Sequence, residues 1–288
     1  MTAATAPTVV GVSVPQRSVA GELRAVKIVW EREVVRFVSD RLRMVTALVQ
    51  PLLFLFVLGS GLSRLASAGT GGLDLKTFLY PGILGMSVMF TAMFSAASIV
   101  WDREFGFLRE MLVAPIRRSS IVIGKCLGGA TVATMQGVVV IALAGLVDVP
   151  YSPSLIVEVF ALQTLLAYTL TAFGVMVAAR IKQIQAFMAL TQMLILPLFF
   201  LSGAMFPLSG LPTWLTVLNR IDPLTYAVDP MRRAVFAHLS LTPEMRHKLD
   251  PGVTWGGWHV PPLVCVAVVA VLGIAMTAVA IAEFSRSE

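Results

Sequence analysis

Six apolar runs, each long enough to cross a bilayer, leave this chain little choice of architecture. A hydrocarbon core about 30 Å thick takes about 20 residues of helix, and only helices or closed barrels satisfy the backbone inside it. The runs fall at about 44–62, 78–100, 121–147, 155–179, 184–206 and 262–283. They are continuously apolar rather than alternating in pairs, which predicts helices and not a transmembrane barrel. Only 13% of the residues are charged, whereas soluble domains carry about a quarter. The expected fold is therefore an all-α integral membrane domain of six transmembrane helices.

Lys and Arg set the expected orientation. With the N-terminus inside, the inner segments hold Arg17, Arg24, Lys27, Arg32, Arg36, Arg41, Arg43, Arg103, Arg109, Arg117, Arg118, Arg180, Lys182 and Arg286. The outer segments hold half as many: Arg64, Lys76, Arg220, Arg232, Arg233, Arg246 and Lys248. Both termini are thus expected on the cytoplasmic side of a bacterial cytoplasmic membrane. The net charge of +6 reads as this topology signal plus attraction to anionic membrane lipid, with no nucleic-acid partner expected.

The first sixteen residues, MTAATAPTVVGVSVPQ, lack the basic start and continuous apolar core of a signal peptide. Residues 1–18 are expected to be a disordered cytoplasmic tail, and 19–43 an amphipathic interfacial helix. In it Val19, Leu23, Val26, Trp30, Val34 and Phe37 recur at helical spacing, and Trp30 is expected at headgroup depth. The transmembrane domain then occupies 44–283, and 284–288 form a second cytoplasmic tail. Lys125, Glu158 and Glu283 lie near span ends and are expected to snorkel. Cys126 and Cys265 fall at opposite ends of their spans, so no intrachain disulfide is expected. The glycine pairs Gly59/Gly61, Gly82/Gly85 and Gly124/Gly128 permit close helix approach, including between two copies of the chain.

The connection at 101–120 is dense in charge of both signs: Asp102, Arg103, Glu104, Arg109, Glu110, Arg117 and Arg118. A purely basic loop would serve topology alone. Mixed charge around the apolar stripe Phe105, Phe107, Leu108, Met111 and Leu112, punctuated by Gly106 and Pro115, predicts a short helix that docks into a groove on another protein. A membrane-surface hairpin with incidental charge is the plainer alternative.

Two stretches carry a family resemblance. Arg103-Glu104-x-Gly106 followed by MLVAPIRRSSIVIGK, and NRIDPLTYAVDPMRRAVF at 219–236, resemble conserved segments of the permease subunits of type-2 ABC exporters, daunorubicin/doxorubicin-resistance permeases among them. The layout of a basic amphipathic start, six spans and a longer segment between spans five and six is similar as well. The resemblance implies a coupling segment, with Arg103, Glu104, Gly106, Arg109, Glu110, Pro115, Arg117 and Arg118 near a separate ATPase. It implies two ATPase copies, which carry the ATP and magnesium, and a second permease copy or a homologous permease. It also implies a re-entrant helical hairpin between the fifth and sixth spans, with Pro207, Trp214, Asn219, Asp222, Pro223 and Tyr226 in it. An extracellular loop is the plainer reading of 207–236.

This chain itself is expected to bind no cofactor. Gly124-Lys125 echoes a phosphate-binding loop, but Cys126 stands where that motif needs Ser or Thr. No catalytic site is expected, because His238, His247 and His259 lack metal-ligand spacing. The neutral amides Gln50, Gln136, Gln163 and Gln192 inside spans are candidates for a path taken by an amphipathic drug, antibiotic or lipid, although such side chains also serve as interhelical glue. A lipid-linked glycan is the alternative cargo. A polytopic enzyme or an ion-coupled secondary transporter are the alternatives from other classes; the latter usually shows mid-membrane ionisable groups between repeated halves.

Overall fold

The computed structural model describes residues 18–61, 74–113, 116–208, 212–240, 242, 245, 249 and 252–287. Among these, six helices are long and apolar enough to cross a membrane: Arg41–Gly61, Leu75–Glu104, Arg118–Ala142, Pro153–Arg180, Ile184–Leu201 and Pro262–Arg286. The expected all-α membrane fold is observed. Residues 1–17 of the expected tail lie outside the described residues.

Helix α1 (Val19–Ser39) starts at Ser18, whose hydroxyl accepts from the Gly21 N–H, and ends at Asp40. Asp40 leaves helical geometry and its carboxylate accepts from the Arg43 N–H, starting a new helix. The expected helix over 19–43 is therefore two elements, with residues 41–43 belonging to span one. That span comprises α2 (Arg41–Leu53) and the wider π turn Phe54–Leu58. Pro51 lacks a backbone donor, and such gaps in the ladder accompany local widening of a helix.

Span two is α3 (Leu75–Ser95) continued by α4 (Ala97–Glu104). It is almost wholly buried and packs against spans one, three, four and five. After Gly106, α5 (Phe107–Val113) leads to span three, α6 (Arg118–Ala142). Span three stops at Ala142, five residues before the expected end; a 3-10 turn at Ala144–Val147 follows, and Asp148 takes a left-handed φ of 56°. Span four is α7 (Pro153–Arg180) and span five is α8 (Ile184–Leu201). Span five also ends short of 206, because the Ser202 hydroxyl binds the Phe199 carbonyl and Gly203 turns the chain at φ 71°.

Two shorter helices follow, α9 (Thr213–Ile221) and α10 (Pro223–Ala237), then a β-hairpin pairing β1 (Thr254–Trp255) with β2 (Trp258–His259). Among the described residues, the hairpin is the one addition to the all-α expectation. Gly256 and Gly257 supply two consecutive positive φ angles, 58° and 91°, which a tight two-residue turn requires. Span six is α11 (Pro262–Ser287).

Candidate functional site

The charged connection sits where several helices end, and its residues reach four of them, α7, α8, α1 and α11. Arg103 donates to the carbonyls of Ala178, Ala179 and Ile181, at 3.2, 3.2 and 2.7 Å, closing the C-terminus of α7. Glu104 accepts from the Ile184 N–H at 3.1 Å, capping the first turn of α8. The Arg117 N–H donates to both oxygens of Glu22, and the Ser120 hydroxyl donates to the same carboxylate at 2.6 Å, which ties down the start of α1. Arg118 reaches across to the Ser285 carbonyl at 2.8 Å, near the end of α11. Carbonyls at helix C-termini and amides at N-termini lack partners within the helix, so these contacts satisfy groups that need them.

Beneath the connection lies a buried ionic hub. Lys125 of α6 donates to Glu33 at 2.6 Å, to Asp102 at 2.5 Å and to the Ser98 hydroxyl at 3.1 Å, which uses all three of its N–H bonds. Arg32 holds the second Asp102 oxygen at 2.7 Å, and Arg36 approaches that oxygen at 3.9 Å while stacking over Trp101. One hub thus joins α1, the end of span two and the start of span three. Lys125 is only 3% exposed, so it does not snorkel to the surface as expected. A buried ion pair adds little net stability over an apolar replacement, but removing one partner costs about 3–5 kcal/mol.

The same geometry reassigns two other sequence features. Helix α1 lies lengthwise on α6, and Trp30 donates to the Thr131 hydroxyl at 2.9 Å. Its buried stripe is Ala25, Val29, Glu33 and Phe37, while Val19 and Leu23 are exposed. Gly124 and Gly128 make the close approach possible. A Cβ there would come within 2.7 Å of the Val29 side chain and 2.6 Å of the Glu33 side chain. In this chain the pair therefore serves an internal contact and not an approach between copies. Gly82 and Gly85 likewise face Ala204 and Val228 of the same chain, and Gly59 faces Lys76.

Gly106 takes a φ of 84° in open space, where a β-carbon would meet nothing. Phe105, just before this turn, is 71% exposed; past it, α5 seats Leu108 in the bundle and leaves Phe107 52% and Val113 86% exposed. The side chains of Arg109 and Glu110, and Pro115 altogether, lie outside the described residues.

The four glutamines divide. Gln50 and Gln192 line a cleft of about 300 Å³ between spans one, two and five, together with Arg43, Thr46, Phe90 and Phe94. Gln136 is buried and donates to the Met44 carbonyl at 3.5 Å, a helix-to-helix contact. Gln163 is fully buried against Gly137, between spans three and four.

At the opposite end, α10 is buried on nearly every side. Asp222 starts it by accepting from the Leu224 N–H at 2.9 Å and the Thr225 hydroxyl at 3.4 Å, with Pro223 at its first position. Asn219 is buried, Trp214 is exposed, and Pro207 lies in the turn leaving span five. The Tyr226 hydroxyl donates to the Arg220 carbonyl at 2.8 Å and accepts from the Trp255 indole at 3.0 Å. Arg232 donates to the Gly203 carbonyl at 2.6 Å and lies over the Phe78 ring. Both cysteines are buried and free, and no group of His, Cys, Asp and Glu suited to a metal occurs among the described residues.

A family model described as ABC-2 type transporter matches residues 24–236, from α1 to the end of α10. The chain belongs to this family. The putative transport permease ycf38 of Cyanophora paradoxa is 34% identical over 203 residues, covering 68% of this chain and 69% of that protein. Nodulation protein J of Rhizobium leguminosarum bv. trifolii is 30% identical over 215 residues, covering 73% and 80%. The probable multidrug ABC transporter permease YbhR of Escherichia coli K12 is 29% identical over 172 residues, covering 59% of this chain and 46% of that protein. The expected type-2 ABC permease is thus supported by family, by relatives and by fold.

Sequence reading missed the hub of this permease. Its signal was present: Glu33 stands four residues from both Val29 and Phe37, so an acid falls on the stripe that α1 buries. An acid on such a stripe calls for a buried cation, and Lys125 is that cation.

Proposed function

We propose that this chain is the transmembrane subunit of an ATP-driven exporter that moves an amphipathic or hydrophobic molecule out across the cytoplasmic membrane. A separate ATPase, present in two copies and carrying ATP and magnesium, docks on residues 101–120 from the cytosol. Both termini then lie in the cytosol. The carrying observation is that Arg103, Glu104, Arg117 and Arg118 fasten this one connection to the ends of α7, α8, α1 and α11. A push on α5 therefore reaches four helices at once, and its exposed Phe107 and Val113, with Phe105 just before it, supply an apolar face for the partner.

A second permease copy, or a homologous permease, packs against spans one and five. These two spans bury the least of their surface, and their exposed positions include Thr46, Gln50 and Gln192. Apart from Arg286 at its end, the exposed large side chains of span six, Leu263, Val271, Ile274 and Val279, are apolar and suit lipid. Helices α9 and α10 form a re-entrant hairpin, a reading supported by the burial of α10, since irregular backbone at membrane depth needs protein around it.

The test is reconstitution with the partner ATPase and measurement of ATP hydrolysis and of outward movement of candidate amphiphiles. Glu104→Ala and Gly106→Pro are expected to abolish transport while the permease still inserts. Undiminished transport by both variants removes this connection from the mechanism.

A further inference from the structure

The cleft between spans one, two and five is asymmetric in its chemistry. Its walls are Phe37, Phe90, Phe94 and Met188, with Trp101 at the end nearer the charged connection. Among the described residues, Arg43 is the one charged residue lining it. Three other cations at this end have acidic partners: Lys125 binds Glu33 and Asp102, Arg32 binds Asp102, and Arg36 lies near Asp102. Arg43 differs. Among the described residues its guanidinium has a carbonyl partner, Phe94 at 3.2 Å, and no carboxylate within 4 Å. The two nearby acids are engaged elsewhere, Asp40 on the Arg43 backbone N–H and Glu33 on Lys125.

A half-buried guanidinium with donors to spare recognises a planar or tetrahedral oxyanion better than any neutral group. It repels a cation. The apolar rings and Met188 suit a hydrocarbon or aromatic body, and Thr46, Gln50 and Gln192 add exposed neutral hydrogen-bonding groups farther along the cleft. Gln50 lies seven residues beyond Arg43, about 10 Å along the helix. A volume of about 300 Å³ is at the lower end for a ligand pocket, enough for a headgroup and the first part of a chain.

We propose that this cleft binds an anionic amphiphile, its phosphate or carboxylate headgroup on Arg43 and its apolar body against Phe90, Phe94 and Met188. The proposal narrows the cargo class of the exporter reading and rests on it for the direction of transport, though binding itself does not depend on that direction. Anionic amphiphiles are favoured over cationic ones of equal chain length.

Purified permease in phosphatidylcholine nanodiscs, titrated by calorimetry with dodecyl phosphate, dodecyltrimethylammonium and inorganic phosphate, tests this directly. Dodecyl phosphate is expected to bind at least tenfold more tightly than either other probe, and Arg43→Gln to remove that advantage. Arg43→Lys keeps part of it. Met188→Trp, which fills the cleft and spares Arg43, is expected to weaken dodecyl phosphate at least tenfold, whereas Arg41→Gln, exposed and outside the lining, leaves it unchanged. Equal binding of the cationic and anionic amphiphiles overturns the proposal. So does wild-type affinity in Met188→Trp, or a loss in Arg41→Gln as large as in Arg43→Gln, either of which means surface charge alone. Inorganic phosphate binding as tightly as dodecyl phosphate means a free-anion site and overturns the amphiphile. Absence of any outward transport by the reconstituted wild type would overturn the exporter reading and leave these affinities untouched.

Discussion

The two ends of the bundle are held by different physics. At the Lys125 end, charged side chains join helices far apart in sequence: Glu33 to Lys125, Glu22 to Arg117 and Ser120, and Arg118 to Ser285. At the Arg232 end, polar groups mostly satisfy backbone close by. Asp222 caps its own helix, Tyr226 binds the Arg220 carbonyl, and Arg232 binds the turn at Gly203. Asp229 pairs with Arg233 one turn along the same helix at 2.8 Å, and apolar side chains close-pack around α10. Directional contacts between separate helices can pass on a displacement. A close-packed apolar plug resists one. Under the proposed coupling to an ATPase, the difference suits one end to receiving force and the other to sealing.

Lys125→Met strikes the first kind of contact hardest. It leaves Glu33 and Asp102 buried beside each other without their shared cation, at a cost of about 3–5 kcal/mol. The largest fall in melting temperature in detergent is expected here, and adding Glu33→Gln should recover part of it. Full wild-type stability in Lys125→Met would erase the contrast between the ends. Gly82→Ala attacks the opposite end. Its new methyl would come within 2.7 Å of the Ala204 Cα, and overpacking of this kind costs about 1–3 kcal/mol. Stability is expected to fall with transport reduced only in proportion to folded protein. The smallest effect belongs to Trp255→Phe, which removes the indole donor to Tyr226. One hydrogen bond at a half-exposed position is worth about 1 kcal/mol, and the expected outcome is a slight fall in melting temperature with transport intact. A transport defect in this variant would bring the Trp255 hairpin into the mechanism and blur the comparison.

Several details lay beyond sequence reading for identifiable reasons. The ends of spans three and five were placed too late because apolar residues continue past Ala142 and Leu201 in turns. Hydropathy registers their side chains and not the left-handed φ values at Asp148 and Gly203. The amphipathic pattern of α1 was legible, but not the face it buries. Trp30 is amphipathic enough for a membrane interface and for the groove beside Thr131 alike.

What the chain determined on its own follows from solvation. Each apolar run of about twenty residues has to lie in hydrocarbon as a helix, whatever its neighbours do. Six runs therefore gave six spans, and the charged stretch between the second and third could only be a connection. Which charges pair across that connection was decided by tertiary structure. Lys125 meets Glu33 because Gly124 and Gly128 let α1 lie against span three, and Asp102 reaches the same ammonium from the end of span two. Burial then makes that pairing obligatory, because an unpaired charge there has no water to hold it.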